Sequence, residues 1–330
     1  MKKKVMIAIA LAILLIGGCF LFFKEESFTK KQSYIEENLN AYTLKGNMDI
    51  TKGEDIKKYA IEVGYKKVAD EDYFKVSICD KQINQTQIIL RNKDGVYVVT
   101  PSLNQIFKFE GDWPLNSLKP YLVQSMQEIL KSDSCVVEKN EDGYKSVTNV
   151  LYPNNPSFKV QEMYFDENGY IRKLYIKDDS DVIQLSIDFT SVNYHADIKD
   201  AYFEVPNKME SEVSASYVEE AQLPLYPMQI FDSTLASTKS VQLANGNKHI
   251  LEYEGDKNFT IVQSLCTQKE TTETVIMSGN LVDSIDAFGF YDGNHLQWIK
   301  EGVEYTIYSD DLSVEEMAQV LSSMQVVVMK

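Results

Sequence analysis

Along most of this chain the apolar positions recur every second residue, the period of a strand with one face on a core and the other in solvent. Such runs fall at Leu44–Thr51, Tyr59–Tyr65, Tyr73–Cys79, Thr86–Arg91, Val96–Thr100 and Gln105–Phe109, after a helix predicted over Tyr34–Tyr42. Asp94-Gly95 separates the fourth run from the fifth, and Asp142-Gly143 and Asn168-Gly169 punctuate later ones. Pairs of this kind supply the positive φ of tight hairpin turns, so the expected product is an antiparallel meander. Between Ser117 and Lys131 the period lengthens to that of a helix, with Leu118, Tyr121, Leu122, Met126, Ile129 and Leu130 on one face. A stripe that wide must cover something apolar. Strands are predicted again at Cys135–Glu138, Tyr144–Leu151, Phe158–Phe165, Tyr170–Ile176, Val182–Val192 and Tyr202–Val205.

From Asn207 to Glu220 the chain turns polar and acidic without periodicity, and Leu223-Pro224-Leu225-Tyr226-Pro227 ends the stretch. This marks 207–223 as a linker between a first domain, 31–206, and a smaller one, 224–330. In the second, alternation returns at His249–Tyr253, Phe259–Cys266 and Glu273–Met277, and His295–Lys300 and Val303–Tyr308 form a hairpin around Glu301-Gly302. Ser313-Val314-Glu315-Glu316 is a capping box that opens a helix through Met317, Val320, Leu321 and Met324. Val326–Met329 is a candidate last edge strand. The fold class is therefore α+β: mostly antiparallel β with helices over it, and a second α+β module behind.

The first 23 residues set the compartment. Lys2-Lys3-Lys4 precedes a run without charge from Val5 to Phe23, the order of an export signal. Inside it Ile16-Gly17-Gly18-Cys19 is spaced like a lipobox, with Cys19 as the residue that would receive lipid, while nineteen apolar residues also suffice for an uncleaved single span. Either way the lysines stay inside and everything after Lys24 is exported and tethered to the cell membrane. The chain has 33 basic against 49 acidic residues, a net charge of −16, and loss of the three leader lysines takes it to −19. That balance excludes nucleic acid as a partner, because phosphate neutralisation needs clustered Lys and Arg.

Chemistry is sparse. None of His195, His249 and His295 has a companion at metal-ligand spacing, and the sequence contains no H-E-x-x-H, C-x-x-C or G-x-S-x-G. No cofactor or metal is expected, and the chain reads as a non-enzyme. Asp178-Asp179-Ser180-Asp181 and Asp310-Asp311 lack the loop glycine and terminal Glu of an EF-hand and read as solvated turns. Cys79, Cys135 and Cys266 cannot all pair within one chain and read as single thiols on strands. The stripe at Leu118, Tyr121, Leu122, Met126 and Ile129 has two readings: a helix that plugs the core, or a movable lid over an apolar cavity, with Trp113 before it as a corner or a ligand contact.

Several stretches resemble the LolA and RseB type of exported protein, an incompletely closed β-barrel with a helical lid. They are Asp94-Gly95-Val96-Tyr97-Val98-Val99-Thr100-Pro101, Asn104-Gln105, Trp113-Pro114, the segment Met163 to Ile171, and Ala201-Tyr202-Phe203-Glu204-Val205-Pro206. The likeness covers Lys31 to Pro206. Leu296-Gln297-Trp298 leading into Val303-Glu304-Tyr305-Thr306-Ile307, then the Ser313 helix, is similar to a C-terminal module of Gram-positive lipoproteins and sigma-factor regulators. Together with the lipobox this resembles sporulation lipoproteins and the germination lipoproteins of the GerS group. The resemblance implies a module that holds or regulates an envelope protein such as a spore cell-wall hydrolase. Its alternatives are a binder of lipid or lipoprotein acyl chains and a sensor tuning a sigma-factor pathway. A LolA carrier diffuses freely, whereas this chain is tethered, so the resemblance extends to the fold and not to shuttling.

Overall fold

The computed structural model describes residues 28–325 except 54, 110–118, 153–154, 208, 210–217, 245, 268 and 286. Helix α1 occupies residues 28–37. Six strands follow as a meander: β1 (Ala41–Lys52), β2 (Asp55–Val68), β3 (Glu71–Asp80), β4 (Gln85–Asn92), β5 (Gly95–Thr100) and β6 (Gln105–Phe109). Helix α2 (Val123–Leu130) comes next, then β7 (Val136–Asn140), β8 (Gly143–Asn149), β9 (Val160–Asp166), β10 (Ile171–Lys177) and β11 (Ile183–Asn193). β11 returns to pair antiparallel with β1, so the two meanders form one sheet that curves without closing. The expected class, mostly antiparallel β with an incompletely closed barrel under helices, is what the structure has. The Asp-Gly and Asn-Gly hairpins are in place, with Gly95, Gly143 and Gly169 at φ of +131°, +146° and +85°.

The second half adds β12 (Tyr226–Pro227), β13 (Ser233–Leu243), β14 (Gly246–Gly255), β15 (Phe259–Leu265), β16 (Glu273–Met277), β17 (Asn280–Asp283), β18 (Phe288–Tyr291), β19 (His295–Lys300), β20 (Val303–Tyr308), helix α3 (Val314–Ser322) and β21 (Met324–Gln325). Seven of these strands make a second sheet in the order β13-β14-β15-β20-β19-β18-β17, and α3 packs on it through Met317, Val320 and Leu321. The Ser313 capping box is formed: its Oγ accepts the Glu316 N–H at 3.2 Å, and Glu316 Oε2 accepts the Ser313 N–H at 2.8 Å.

β16 leaves this sheet and pairs parallel with β6, from Glu273↔Gln105 to Met277↔Phe109, and so becomes the twelfth strand of the first sheet. Phe288 and Phe290 of β18 pack beside it on Phe107 and Phe109, with ring centroids 6.3–6.5 Å apart. β5 is thus covered on both faces, by Phe288 and Phe290 on one and Met209 on the other. Its unbroken Val96-Tyr97-Val98-Val99 run is the pattern such a strand requires.

Four predicted elements differ. The last helix ends at Ser322, so Met324, expected on it, opens β21 instead. The first helix lies at 28–37 rather than Tyr34–Tyr42, because Ala41 already begins β1 and Tyr42 and Leu44 point into the core with strand period. The second begins only at Val123, because Leu122 before it is extended, with φ −102° and ψ 134°. Tyr202–Val205 is not a strand: Asp200–Phe203 is a 3₁₀ turn that buries Phe203 on Tyr73 and Ile198. The Val326–Met329 strand lies outside the described residues.

On the outer face of β8–β10, Glu162 accepts bonds from Lys145 and Lys177 at 3.1 Å and from the Tyr164 hydroxyl at 2.8 Å. Burial pushes its carboxyl up, but these bonds outweigh it and hold the group below the usual range. A depressed folded value contributes stability above the unfolded pKa, which is lost as pH falls through the folded one. Glu162→Gln should therefore cost about 1 kcal/mol at neutral pH. In urea melts the gap should close below about pH 4; a gap that stays constant with pH contradicts the assignment.

Candidate functional site

The inner face of the curved sheet is apolar, and α2 lies over it. Val123, Met126 and Ile129 of α2, with Tyr121 and Leu122 of the preceding turn, are buried in one cluster with Tyr42, Tyr65, Phe74 and Met163. Met126 is 2% exposed and Tyr121 1%. Of the residues singled out in the sequence, Tyr121, Leu122, Met126 and Ile129 thus come together, with their surfaces against the protein's own core. Trp113, Leu118 and Cys19 lie outside the described residues.

Polar bonds latch this cover. The Tyr42 hydroxyl donates to Gln124 Oε1 at 2.8 Å and accepts the Val123 N–H at 3.3 Å. Its ring stacks on Tyr65, 5.0 Å between centroids, and the Tyr65 hydroxyl donates to Asp72 at 2.7 Å. Burial raises both phenols well above their ordinary value, so they stay protonated donors throughout the physiological range. At the other end, Gln127 Nε2 donates to Gln32 Oε1 of α1 at 2.7 Å, and Gln32 Nε2 donates to Gly169 O at 2.9 Å. Lys131 pairs with Glu36. Just before α2, Lys119 is 1% exposed, and burial pushes its ammonium down to about 7. No local pattern marks the pairs Tyr42–Gln124 and Gln32–Gln127, whose members lie 82 and 95 residues apart.

The wall formed by β8 and β9 is not uniformly greasy. Ser146, Thr148 and Gln161 are wholly or almost wholly buried there, and Tyr152 donates to Gln161 Oε1 at 2.7 Å. Among the described residues, Ser146 Oγ, Thr148 Oγ1 and Gln161 Nε2 have no hydrogen-bond partner.

One cluster in the second half has the composition of a hydrolytic relay. Ser240 Oγ is 2.9 Å from His249 Nδ1, and His249 Nε2 is 3.2 Å from Glu220 Oε1. Ser240 stands directly opposite His249 in the β13–β14 register, on a strand exposed along nearly its whole length. Glu220 also accepts Asn247 Nδ2 at 2.8 Å; this bond and that to His249 hold its carboxyl below the usual range. The geometry is that of a staple fastening the 3₁₀ turn Glu220–Gln222 to β14.

His295 pairs with Asp292 at 3.1 Å and stacks on Tyr308. His195 lies in the open groove beside Tyr34 and Tyr170. The acidic clusters act as turn fasteners: Asp178 accepts the N–H groups of Ser180 and Val182, and Asp311 accepts two bonds from Asn258. Cys79, Cys135 and Cys266 are free thiols, half-buried, and burial pushes Cys266 up to about 12. Among the described residues no group of three or more His, Cys, Asp or Glu could hold a metal. Likewise no helix there is long and apolar enough to cross a membrane; the run from Val5 to Phe23 lies outside them.

The chain is similar over nearly its whole length to sporulation protein YdcC of Bacillus subtilis. The two are 28% identical over 326 residues, 96% of this chain and 94% of the relative. The expected likeness to sporulation proteins is there. No family model matches. Similar solved structures include the MucA/MucB complex of Pseudomonas aeruginosa, at 10% identity and a TM-score of 0.32 over 92% of this chain and 98% of that one. Another is a LolA superfamily protein from Nitrosomonas europaea, at 12% identity and 0.28, over 55% of this chain and 97% of that one. Scores of this size fall short of superposable folds, so the architecture stands on the strand pairing described above.

The latch has a measurable consequence. Tyr42→Phe keeps the ring and strands the Val123 N–H, which should cost about 1–2 kcal/mol. Chemical denaturation checks this, and a variant as stable as the wild type contradicts the latch.

Proposed function

We propose that this protein is a non-catalytic binding module, tethered outside the cytoplasmic membrane by its N-terminal run, which holds or regulates a protein of the envelope in a spore-forming cell. A cell-wall hydrolase acting on the spore is the partner class the reading favours. The observation that carries it is the latched cover: α2 fills the concave face of the sheet with its own Val123, Met126 and Ile129. A protein that carries acyl chains needs that face open. A binder of proteins works from its outer surface and tolerates a filled interior. The export leader and the similarity to a sporulation protein along 96% of the chain support the compartment and the process.

The test is purification of the tagged full chain from membranes of sporulating cells, with mass spectrometry of both proteins and lipids. An envelope protein should copurify in stoichiometric amount, and labelled palmitate should enter the wild type but not Cys19→Ala. A stoichiometric acyl lipid with no protein contradicts the reading. So does labelling of Ser240 by a fluorophosphonate, which would make the Ser240–His249–Glu220 staple a nucleophilic site.

A further inference from the structure

Four strands end the two large sheets. Three of them are blunted: β7 and β16 have five residues each and β17 has four, and β7 carries Glu138 and Lys139. Short and charged edges resist pairing with another chain. β13 is different. It runs for eleven residues without proline, and from Thr238 to Leu243 every residue is exposed. Its bulge falls early, between Leu235 and Ser237, and beyond it the seven residues from Ser237 to Leu243 pair with β14 in unbroken register.

This run is nearly free of charge, and its polar side chains are turned to its own hairpin. Among the described residues Ser240 bonds to His249 Nδ1 at 2.9 Å, and Ser237 and Lys239 both donate to Glu252, the lysine at 2.9 Å. Lys239 is the one charged residue of the seven, and Glu252 on β14 matches it. What faces solvent is the outer row of backbone N–H and C=O groups of a sheet edge, together with Val241 and Leu243, each 43% exposed.

We propose that β13 pairs with β13 of a second copy of this chain, antiparallel about a two-fold axis at Ser240, so that two sheets of seven strands become one of fourteen. A strand added from another protein would gain main-chain bonds, but its selection takes side-chain pockets beside the edge, and both faces of this run are in solvent. A second copy selects itself. The register that pairs all seven residues sets Ser240 against Ser240, Lys239 against Val241, Thr238 against Gln242 and Ser237 against Leu243. No like charges stand directly opposite in it, whereas an axis one residue earlier would set Lys239 against Lys239. The two lysines are then diagonal neighbours, about 7–8 Å apart, each on its own Glu252. Val241 gains cover from the Lys239 stem of the other copy. The contact is isologous and closes on itself, so it stops at a dimer. The net charge of −16 on each copy opposes the approach, and screening over about 8 Å at physiological ionic strength limits that cost. Two copies joined in this way offer a partner two identical surfaces.

The test is native mass spectrometry of the full chain released from detergent, together with cysteine cross-linking in membranes. The wild type should give a dimer, a result that needs no variant. Ser240→Cys should cross-link under mild oxidation, since directly opposed residues on antiparallel strands have Cα atoms about 4.5–5.5 Å apart, within the span of a disulfide. Ser237→Cys should not, because its counterpart lies six residues along the other strand, about 20 Å away. The wild type, with its native thiols, sets the background for both. Ser240→Lys puts like charges face to face across the axis and should weaken the dimer about tenfold or more. A monomeric wild type, Ser237→Cys linking as readily as Ser240→Cys, or a dimer indifferent to Ser240→Lys overturns the proposal. So does a monomer that loses a copurifying envelope protein in Ser240→Lys, which would give the edge to a strand of that protein.

Discussion

A curved antiparallel sheet with one apolar face is stable only if something covers that face. Here the cover is α2, and Tyr42 is where cover and sheet are joined. Its ring belongs to the core, stacked on Tyr65, while its hydroxyl serves the first free N–H of α2 and the Gln124 amide. One side chain thus satisfies packing and polarity together, and it caps a helix whose own N-cap residue, Leu122, offers no side-chain acceptor. The Gln32–Gln127 bond then ties α2 to α1. With the concave face filled and latched, the surface left open is the outside of the molecule.

The outside is shaped by the second half. β16 extends the first sheet, and Phe288 and Phe290 cover the far side of β5, so each half contributes to the other's core. The same docking sets the β19–β20 turn over the sheet rim. β7 and β13 end the two sheets, with Val136, Leu235, Val241 and Leu243 exposed.

Much of this was legible in the sequence, for identifiable reasons. The meander strands alternate because one face is buried and the other wet, and the Asp-Gly and Asn-Gly turns place their glycines where positive φ is needed. The stripe from Tyr121 to Ile129 announces a cover, and Pro120 bars a helix from running through the residue before it. β13 escaped notice because Ser-Thr-Leu-Ala-Ser-Thr-Lys-Ser is nearly all exposed and carries no alternation. β16 was visible as a strand, but its parallel partner lies about 170 residues away and nothing local encodes such a pairing. The latch shares that opacity, since it is made by residues that only the folded chain brings together.

The central claim is that α2 is a fixed part of the core rather than a gate. Native-state hydrogen exchange on the intact protein measures this directly, because local opening and global unfolding give different protection. The α2 amides from Met126 to Leu130 should exchange with a free energy close to that of β1 and β2. Exchange at α2 several kcal/mol easier than in those strands, with the sheet still protected, would show a lid that opens on its own and contradict it.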